Sequence, residues 1–358
     1  MKILFFIESL HSGGKERRLV ELIKGLSSDN SIELHLALTK EGIHYNDVLS
    51  YNVKIHYLLR RKYKKDPVVF FKFYQLVKRL KPDVIHVWGN MVAIYAIPAK
   101  AFTNIPMINN QISDAPTNFS NSILSHKLSF PFSKIIVANS YAGLKAYNAP
   151  SKKSKVIYNG FDFKRVSNLK DKDTIKLQFD IKTKYVVGMV ASFSDKKDYA
   201  TYIKAANIVL SKNLDVTFLC IGAGNDNKYK MLVHKGNEKK VLFLGRQINV
   251  ESIMNVCDIG VLSTYTEGIS NSLMEFCALS KPVITNYGGG NIELVDSEEM
   301  GYLIRQKSPL ELAEKIEILL LDSNKRIRFG KNAKEKIVNT FSIDKMINDF
   351  KSTYLESI

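Results

Sequence analysis

Cysteine is scarce: Cys220, Cys257 and Cys277, all in apolar surroundings, are the three in 358 residues. They exclude a disulfide framework or a Cys-rich zinc site, and a reducing cytosol is the simplest compartment. Long apolar runs are absent. The stretch 84–102 comes nearest to the ~18–20 residues of a membrane span, but His86 and Asn90 interrupt it and Lys100 limits it. The N-terminal run 2–7 starts like a signal peptide, yet Glu8 and His11 end it and no small-residue cleavage site follows. Carboxylates are outnumbered, 35 against 52 Lys and Arg, for a net charge of +17. What is present is ordinary for a globular chain, with 45% hydrophobic and 24% charged residues, which excludes disordered, collagen-like and low-complexity classes. The length is too great for one ordinary core and fits two domains.

The positive charge is unevenly placed. Residues 1–160 hold 23 Lys and Arg against 10 Asp and Glu, whereas residues 161–358 hold 29 against 25. A cationic half beside a nearly neutral one points to a polyanionic partner (anionic lipid, a phosphorylated substrate or nucleic acid) or to a Lys-rich soluble surface.

The hydrophobic pattern alternates short strands with helices. Strands are expected at 2–7, 32–37, 53–58, 84–87, 107–108 and 135–138, with helices at 15–26 and 66–80. Strand, crossover helix and strand at this spacing predict a parallel, doubly wound sheet. Residues 164–184 shift to Lys, Asp, Ser and Thr, as a boundary or surface connection would. The pattern then restarts, with strands at 185–190, 216–221, 241–244, 259–262 and 282–284 and helices at 199–210, 251–256 and 270–278. Segments 310–321, 325–341 and 343–355 close the chain as helices. The expected architecture is α/β: two Rossmann-like domains, 1–162 and 163–342, facing an interdomain cleft, with 343–358 packing back on the first. Such sheets bind ligands at the carboxyl ends of their strands.

The sharpest local signal is Thr266-Glu267-Gly268-Ile269-Ser270-Asn271-Ser272-Leu273-Met274-Glu275. Glu267 follows a strand, Gly268 permits a tight turn and Ser270 is a natural N-cap. The following amides point out of a helix N-terminus, which suits an anion. Glu275 falls more than one turn on, where a carboxylate could accept from paired ribose hydroxyls. A helix with an acidic N-terminus and an exposed Glu is the plainer alternative.

The Glu-x7-Glu spacing, with Ser280-Lys281-Pro282-Val283-Ile284 and Gly288-Gly289-Gly290-Asn291-Ile292-Glu293, resembles the retaining glycosyltransferases of group 1 (family 4), which have the GT-B fold. Ser12-Gly13-Gly14-Lys15-Glu16-Arg17 is similar to that family's entry into its first helix. Lys81-Pro82-Asp83-Val84-Ile85-His86 and Val156-Ile157-Tyr158-Asn159-Gly160-Phe161-Asp162 resemble its domain-one strand and interdomain signature. Ile221-Gly222-Ala223-Gly224 and Phe243-Leu244-Gly245-Arg246 resemble its second-domain strand ends. The resemblance covers nearly the whole chain, and the motifs stand in the family's order.

That resemblance implies that the second domain binds a nucleotide sugar and the first an acceptor. Glu275 would hold the ribose and Glu267 the donor sugar's hydroxyls. The amides of Ile269, Ser270 and Asn271, with those of Gly13 and Gly14, would take the diphosphate. No cofactor or metal is implied, because helix dipoles and cations stabilise the leaving group. Asp171-Lys172-Asp173 lies in the charged connection rather than after a strand. The family's Arg, five residues before a Lys, is replaced by Ser192, while the Lys is present as Lys197; Lys196 or Arg246 could substitute. A His usual near the sugar is replaced by Asn109-Asn110-Gln111, so no first-domain catalytic His is carried over. His86 could face the cleft or be structural.

Arg60-Arg61-Lys62-Tyr63-Lys64-Lys65 precedes an aromatic helix, and Arg60, Arg61, Lys62, Lys64 and Lys65 would suit an anionic membrane, with Val69, Phe70 and Phe73 inserting. In the alternative, those apolar residues are core and the cations a solvated loop. No nucleic-acid motif accompanies the charge. The expected function is retaining transfer from a nucleoside diphosphate sugar to an acceptor hydroxyl. A lipid-linked saccharide of surface polysaccharide assembly, at the cytoplasmic face of a membrane, is the expected acceptor. A sugar-nucleotide epimerase, or a catalytically weak binding partner in an assembly complex, remains the alternative.

Overall fold

In the computed structural model the chain forms two compact units, residues 1–160 with 343–358, and residues 161–342. The structure describes every residue except 12, 62–64 and 117–120, and the side chains of 121–123.

The first unit is built on a parallel sheet of β1 (Lys2–Ile7), β2 (Glu33–Leu38), β3 (Val53–Tyr57), β4 (Val84–Trp88), β5 (Met107–Ile112), β6 (Ile135–Ala138) and β7 (Ser154–Val156). Their order is β3-β2-β1-β4-β5-β6-β7. Parallel strands are covered on both faces, which is why β1 reads as a continuous apolar run after Lys2 and β4 as one broken only by buried His86. Ile3, Phe5 and Ile7 enter one core; Leu4 and Phe6 enter the other, with Val69, Phe73 and Val77.

The closing helix Ile343–Leu355 puts Met346, Phe350 and Tyr354 into the first core, beside Leu19, Ile23 and Leu26 of the helix Gly14–Ser27. Gly25 permits that approach, since a Cβ there would lie 2.1 Å from Ile347 Cδ1. Buried Arg18 donates to the Ile157 carbonyl at 2.6 Å and lies over the Trp88 and Phe350 rings. Burial pulls its pKa down to about 9. His86 is structural: it is fully buried, with Nδ1 2.8 Å from the Tyr354 hydroxyl and Phe5, Trp88 and Phe350 around it.

Three histidines of this unit link stability to pH. Burial, with the Arg18 charge adding to it, holds the His86 pKa well below the usual value. His35 and His56, 2.9 Å apart on β2 and β3, are lowered mainly by burial; Lys54 acts on both, Lys2 on His35 and Arg79 on His56. Glu33, 3.1 Å from His35, opposes the shift without outweighing it. An unfolded histidine takes its proton near pH ~6.5 and these folded ones only below it, so the unfolded chain binds more protons as pH falls. The contribution is full above about pH 6.5 and is lost as pH drops from there towards the lowered folded values. Calorimetry from neutral to mildly acidic buffer should show a falling thermal midpoint. A constant or rising midpoint would contradict the assignment.

The second unit holds β8 (Tyr185–Val190), β9 (Val216–Ile221), β10 (Val241–Gly245), β11 (Ile259–Leu262), β12 (Val283–Asn286) and β13 (Gly301–Ile304), all parallel. Their order is β10-β9-β8-β11-β12-β13. The three cysteines are buried and free, and burial pushes the Cys257 and Cys277 thiols up to about 12, far from a reactive thiolate.

Several elements differ from the sequence reading. β7 and β13 are edge strands of three and four residues, too short to leave a periodicity, and β7 carries a single apolar residue, Val156. A helix, Lys172–Gln178, occupies part of the expected charged connection. Asp171 caps it by accepting from the amides of Asp173 and Thr174 at 2.9 and 3.1 Å, and Ile175 is its buried anchor. Asp171 and Asp173 thus open a helix. The membrane reading of residues 60–73 also needs correction. Val69 and Phe73 are fully buried, and Phe70 packs edge-on against Tyr95, so these three cannot insert. Arg60 is turned onto Glu8 at 3.0 Å and over the Tyr95 ring, which removes it from an outward cationic face. Arg61 and Lys65 are exposed, whereas Lys62 and Lys64 lie outside the described residues. Among the described residues, no helix is long and apolar enough to cross a membrane.

Candidate functional site

In the second unit β8 lies between β9 and β11, so the connections after β8 and β11 leave in opposite directions. A parallel sheet opens a crevice beyond its strand ends at such a switch point. Lys197 follows β8 and Glu267 follows β11. Their loops are laced together: Lys197 and Thr264 form an antiparallel bridge, and Tyr265 N donates to the Lys196 carbonyl at 3.0 Å. The Thr264 hydroxyl donates to the same carbonyl at 3.0 Å. Across this seam the Lys197 ammonium donates to the Glu267 carboxylate, with both side chains largely buried.

A third loop sets the height of Glu267. Gly290 N donates to the Glu267 carbonyl at 3.1 Å. Gly289 has φ +58°, and a Cβ there would lie 2.2 Å from the same carbonyl, so no larger residue fits without moving the glutamate. Asn286 steadies the neighbouring strand end, its Oδ1 accepting from Thr264 N at 2.7 Å.

The helix Asn271–Ala278 starts in this crevice. Ser270 caps it by accepting from Leu273 N at 3.4 Å. Ile269 and Ser270 are buried and Asn271 is half-buried. First-turn amides lack intrahelical acceptors and carry the positive end of the helix dipole, so they can receive an anion.

Glu275 lies in the second turn, 4% exposed rather than on an open surface. Its Oε1 accepts from Arg165 at 2.6 Å. The same guanidinium donates to Glu251, with Nε to Oε1 at 3.1 Å, and stacks over the Phe161 ring at 5.1 Å. One cation thus serves two carboxylates, and it holds the Glu275 side chain in one orientation. Sequence reasoning missed Arg165 and Glu251. Arg165 lies just past the Asn159-Gly160-Phe161-Asp162 motif, but nothing local couples it to a glutamate 110 positions away.

The other expected residues are more dispersed. Arg246 is exposed at the tip of β10, two strands from β8. Ser192 is exposed, with its hydroxyl 3.2 Å from that of Ser194, and supplies no cation. Gly13 and Gly14 belong to the first unit, at the start of its first helix, where the Tyr45 hydroxyl donates to the Gly13 carbonyl at 3.0 Å.

Two family models match the chain almost end to end: "Glycosyltransferase Family 4" over residues 12–165 and "Glycosyl transferases group 1" over residues 171–336. The chain belongs to the group 1, family 4 glycosyltransferases. Among the relatives of this glycosyltransferase is a Campylobacter jejuni N-acetylgalactosamine-N,N'-diacetylbacillosaminyl-diphospho-undecaprenol 4-alpha-N-acetylgalactosaminyltransferase, 26% identical, with 94% of each chain covered. Another is an Escherichia coli UDP-Gal:alpha-D-GlcNAc-diphosphoundecaprenol alpha-1,3-galactosyltransferase, 25% identical over 82% of this chain and 80% of that one. The fold matches that of Anabaena Alr3699/HepE, solved with UDP and glucose, at a TM-score of 0.86 and 22% identity, with both chains fully covered. The glycosyltransferase has the two Rossmann-like domains of the GT-B fold.

Proposed function

We propose that this glycosyltransferase moves a sugar from a nucleoside diphosphate sugar to a hydroxyl of a lipid-linked saccharide, with retention of configuration, in surface polysaccharide assembly. The observation that carries the reading is the crevice of the second unit, where the Lys197–Glu267 pair and buried Glu275 stand around the N-terminus of one helix. Two relatives named for undecaprenyl-diphosphate-linked substrates support the acceptor, and the UDP-Gal of one supports a UDP-sugar donor. The acceptor places the enzyme at the inner face of the cell membrane, as a peripheral protein.

In this reading Glu275, oriented by Arg165, accepts from the ribose hydroxyls, and Glu267 holds hydroxyls of the donor sugar. The amides of Ile269, Ser270 and Asn271 receive the diphosphate, and the Arg246 guanidinium completes its contacts. The acceptor oxygen bonds to the anomeric carbon on the face from which the diphosphate departs. The anomeric carbon–oxygen bond to phosphate breaks, and a leaving phosphate oxygen takes the acceptor proton. Charge grows on the diphosphate, and Lys197 with the helix amides stabilises it. This assignment uses no metal or cofactor, and nucleic acid is not a partner.

The test is incubation with a panel of UDP-sugars, with and without an undecaprenyl-diphosphate-linked saccharide, following UDP release and the anomeric configuration of the product. Acceptor-dependent release and an α-linked product from an α-linked donor are expected. Turnover of donor without acceptor would favour an epimerase. UDP-sugar binding without any turnover would favour a binding partner, the reading that Ser192 in place of an Arg raises.

A further inference from the structure

Two cations of the crevice, Lys197 and Arg165, are held by carboxylates. Lys197 faces Glu267, and Arg165 serves both Glu251 and Glu275. Neither group has positive charge to spare for a diphosphate, which gains negative charge as its bond to the sugar breaks. A further lysine borders the same place. A cavity of about 280 Å³ opens beside Lys197, and Lys228, Tyr229 and Tyr265 line it together with Asp195 and Asp198.

Strand order brings Lys228 there. β9 is the neighbour of β8, and the loops that follow the two strands are joined. Phe193 and Gly224 form a parallel bridge, with Phe193 N donating to the Ala223 carbonyl at 2.7 Å. Tyr229 is 5% exposed and packs on Phe193 and Tyr199 at ring separations of 5.8 and 5.5 Å. The backbone beside Lys228 is therefore anchored, while its ammonium stands 5.0 Å over the Tyr229 ring. That ammonium donates to Asp195 Oδ1 at 2.8 Å, and the lysine and aspartate side chains are 57% and 95% exposed. An ion pair so exposed is weak, so a more highly charged anion can take the ammonium at little cost.

We propose that Lys228 leaves Asp195 for the terminal phosphate of the departing diphosphate, keeping its three protons, and returns to Asp195 once the nucleotide is released. Its contact strengthens as charge grows on that phosphate, which is where a cation acts on the transition state rather than on the bound donor. This assignment rests on the nucleoside diphosphate donor proposed for the site. A lysine that only tied two surface loops together would make the same pair with Asp195, but it would not sense whether a nucleotide carries a second phosphate.

Titration calorimetry of the full chain with UDP and with UMP reads that difference. The two nucleotides share base, ribose and first phosphate, so the ratio of their affinities reports the terminal phosphate. Lys228→Ala should weaken UDP roughly tenfold and UMP far less, with the thermal midpoint unchanged because only an exposed pair is lost. Lys228→Arg should recover most of the UDP affinity. Asp195→Asn should tighten UDP by roughly two- to fivefold, the strength of the pair it dissolves, and should lose that effect in the Lys228→Ala background. A parent that binds no UDP would overturn the donor reading and this assignment with it. A parent that binds UDP, beside a Lys228→Ala variant with the same preference for UDP over UMP, would overturn the assignment alone. So would an Asp195→Asn effect that persists without Lys228, since Asp195 would then act on the nucleotide directly.

Discussion

Lys197→Ala is expected to lower the kcat of sugar transfer by roughly 10²–10³-fold, the range seen when one preorganised electrostatic donor is removed, and to change UDP affinity far less. The diphosphate gains charge between ground and transition state, so a cation beside it acts mainly on turnover. Ser192 supplies no positive charge where the family places an Arg, so more of the task falls on Lys197. The structure adds a second consequence. Lys197 is paired with Glu267, and its loss leaves that carboxylate uncompensated next to the crevice. The double variant with Glu267→Gln separates the two effects: recovery towards parental kcat would mean that Lys197 mainly neutralises Glu267. Near-normal turnover in Lys197→Ala alone would transfer the role to another cation, with Arg246 the first to test.

Glu275→Gln should weaken UDP binding tenfold or more in a protein that remains folded, because hydrogen bonds to a charged acceptor contribute about 1.5–3 kcal/mol each. Titration calorimetry with UDP measures it, and unchanged affinity would sink the ribose assignment. Arg165→Ala should act on both stability and binding. It leaves Glu275 buried without its cation, and removing one partner of a buried pair typically costs about 3–5 kcal/mol. The partial exposure of Arg165 places this pair towards the lower end of that range. A fall in thermal midpoint should accompany the loss of UDP affinity, and Arg165→Lys should recover stability better than affinity, since an ammonium cannot reproduce the guanidinium fork. An Arg165→Ala protein with parental stability and UDP affinity would show that the pair positions nothing.

The parallel sheets, their tandem arrangement and the helix carrying Glu275 were legible in the sequence. Continuous apolar strands and amphipathic helices leave local periodicities, and a capping serine and turn glycines act within a few residues. The Glu-x7-Glu spacing was legible for the same reason, because both residues lie on one loop and helix. Three things depended on tertiary structure. The Arg165–Glu275–Glu251 cluster joins residues that no spacing rule connects. Lys197 meets Glu267 because β8 and β11 are neighbours in the sheet although sequence places them 70 residues apart. The apolar residues 69 to 73 could be assigned to a face only once the sheet and Tyr95 were in place, which buried Val69 and Phe73 and left Phe71 outside. Local pattern determines what each segment becomes, whereas strand order and packing decide which side chains meet and which are turned to solvent.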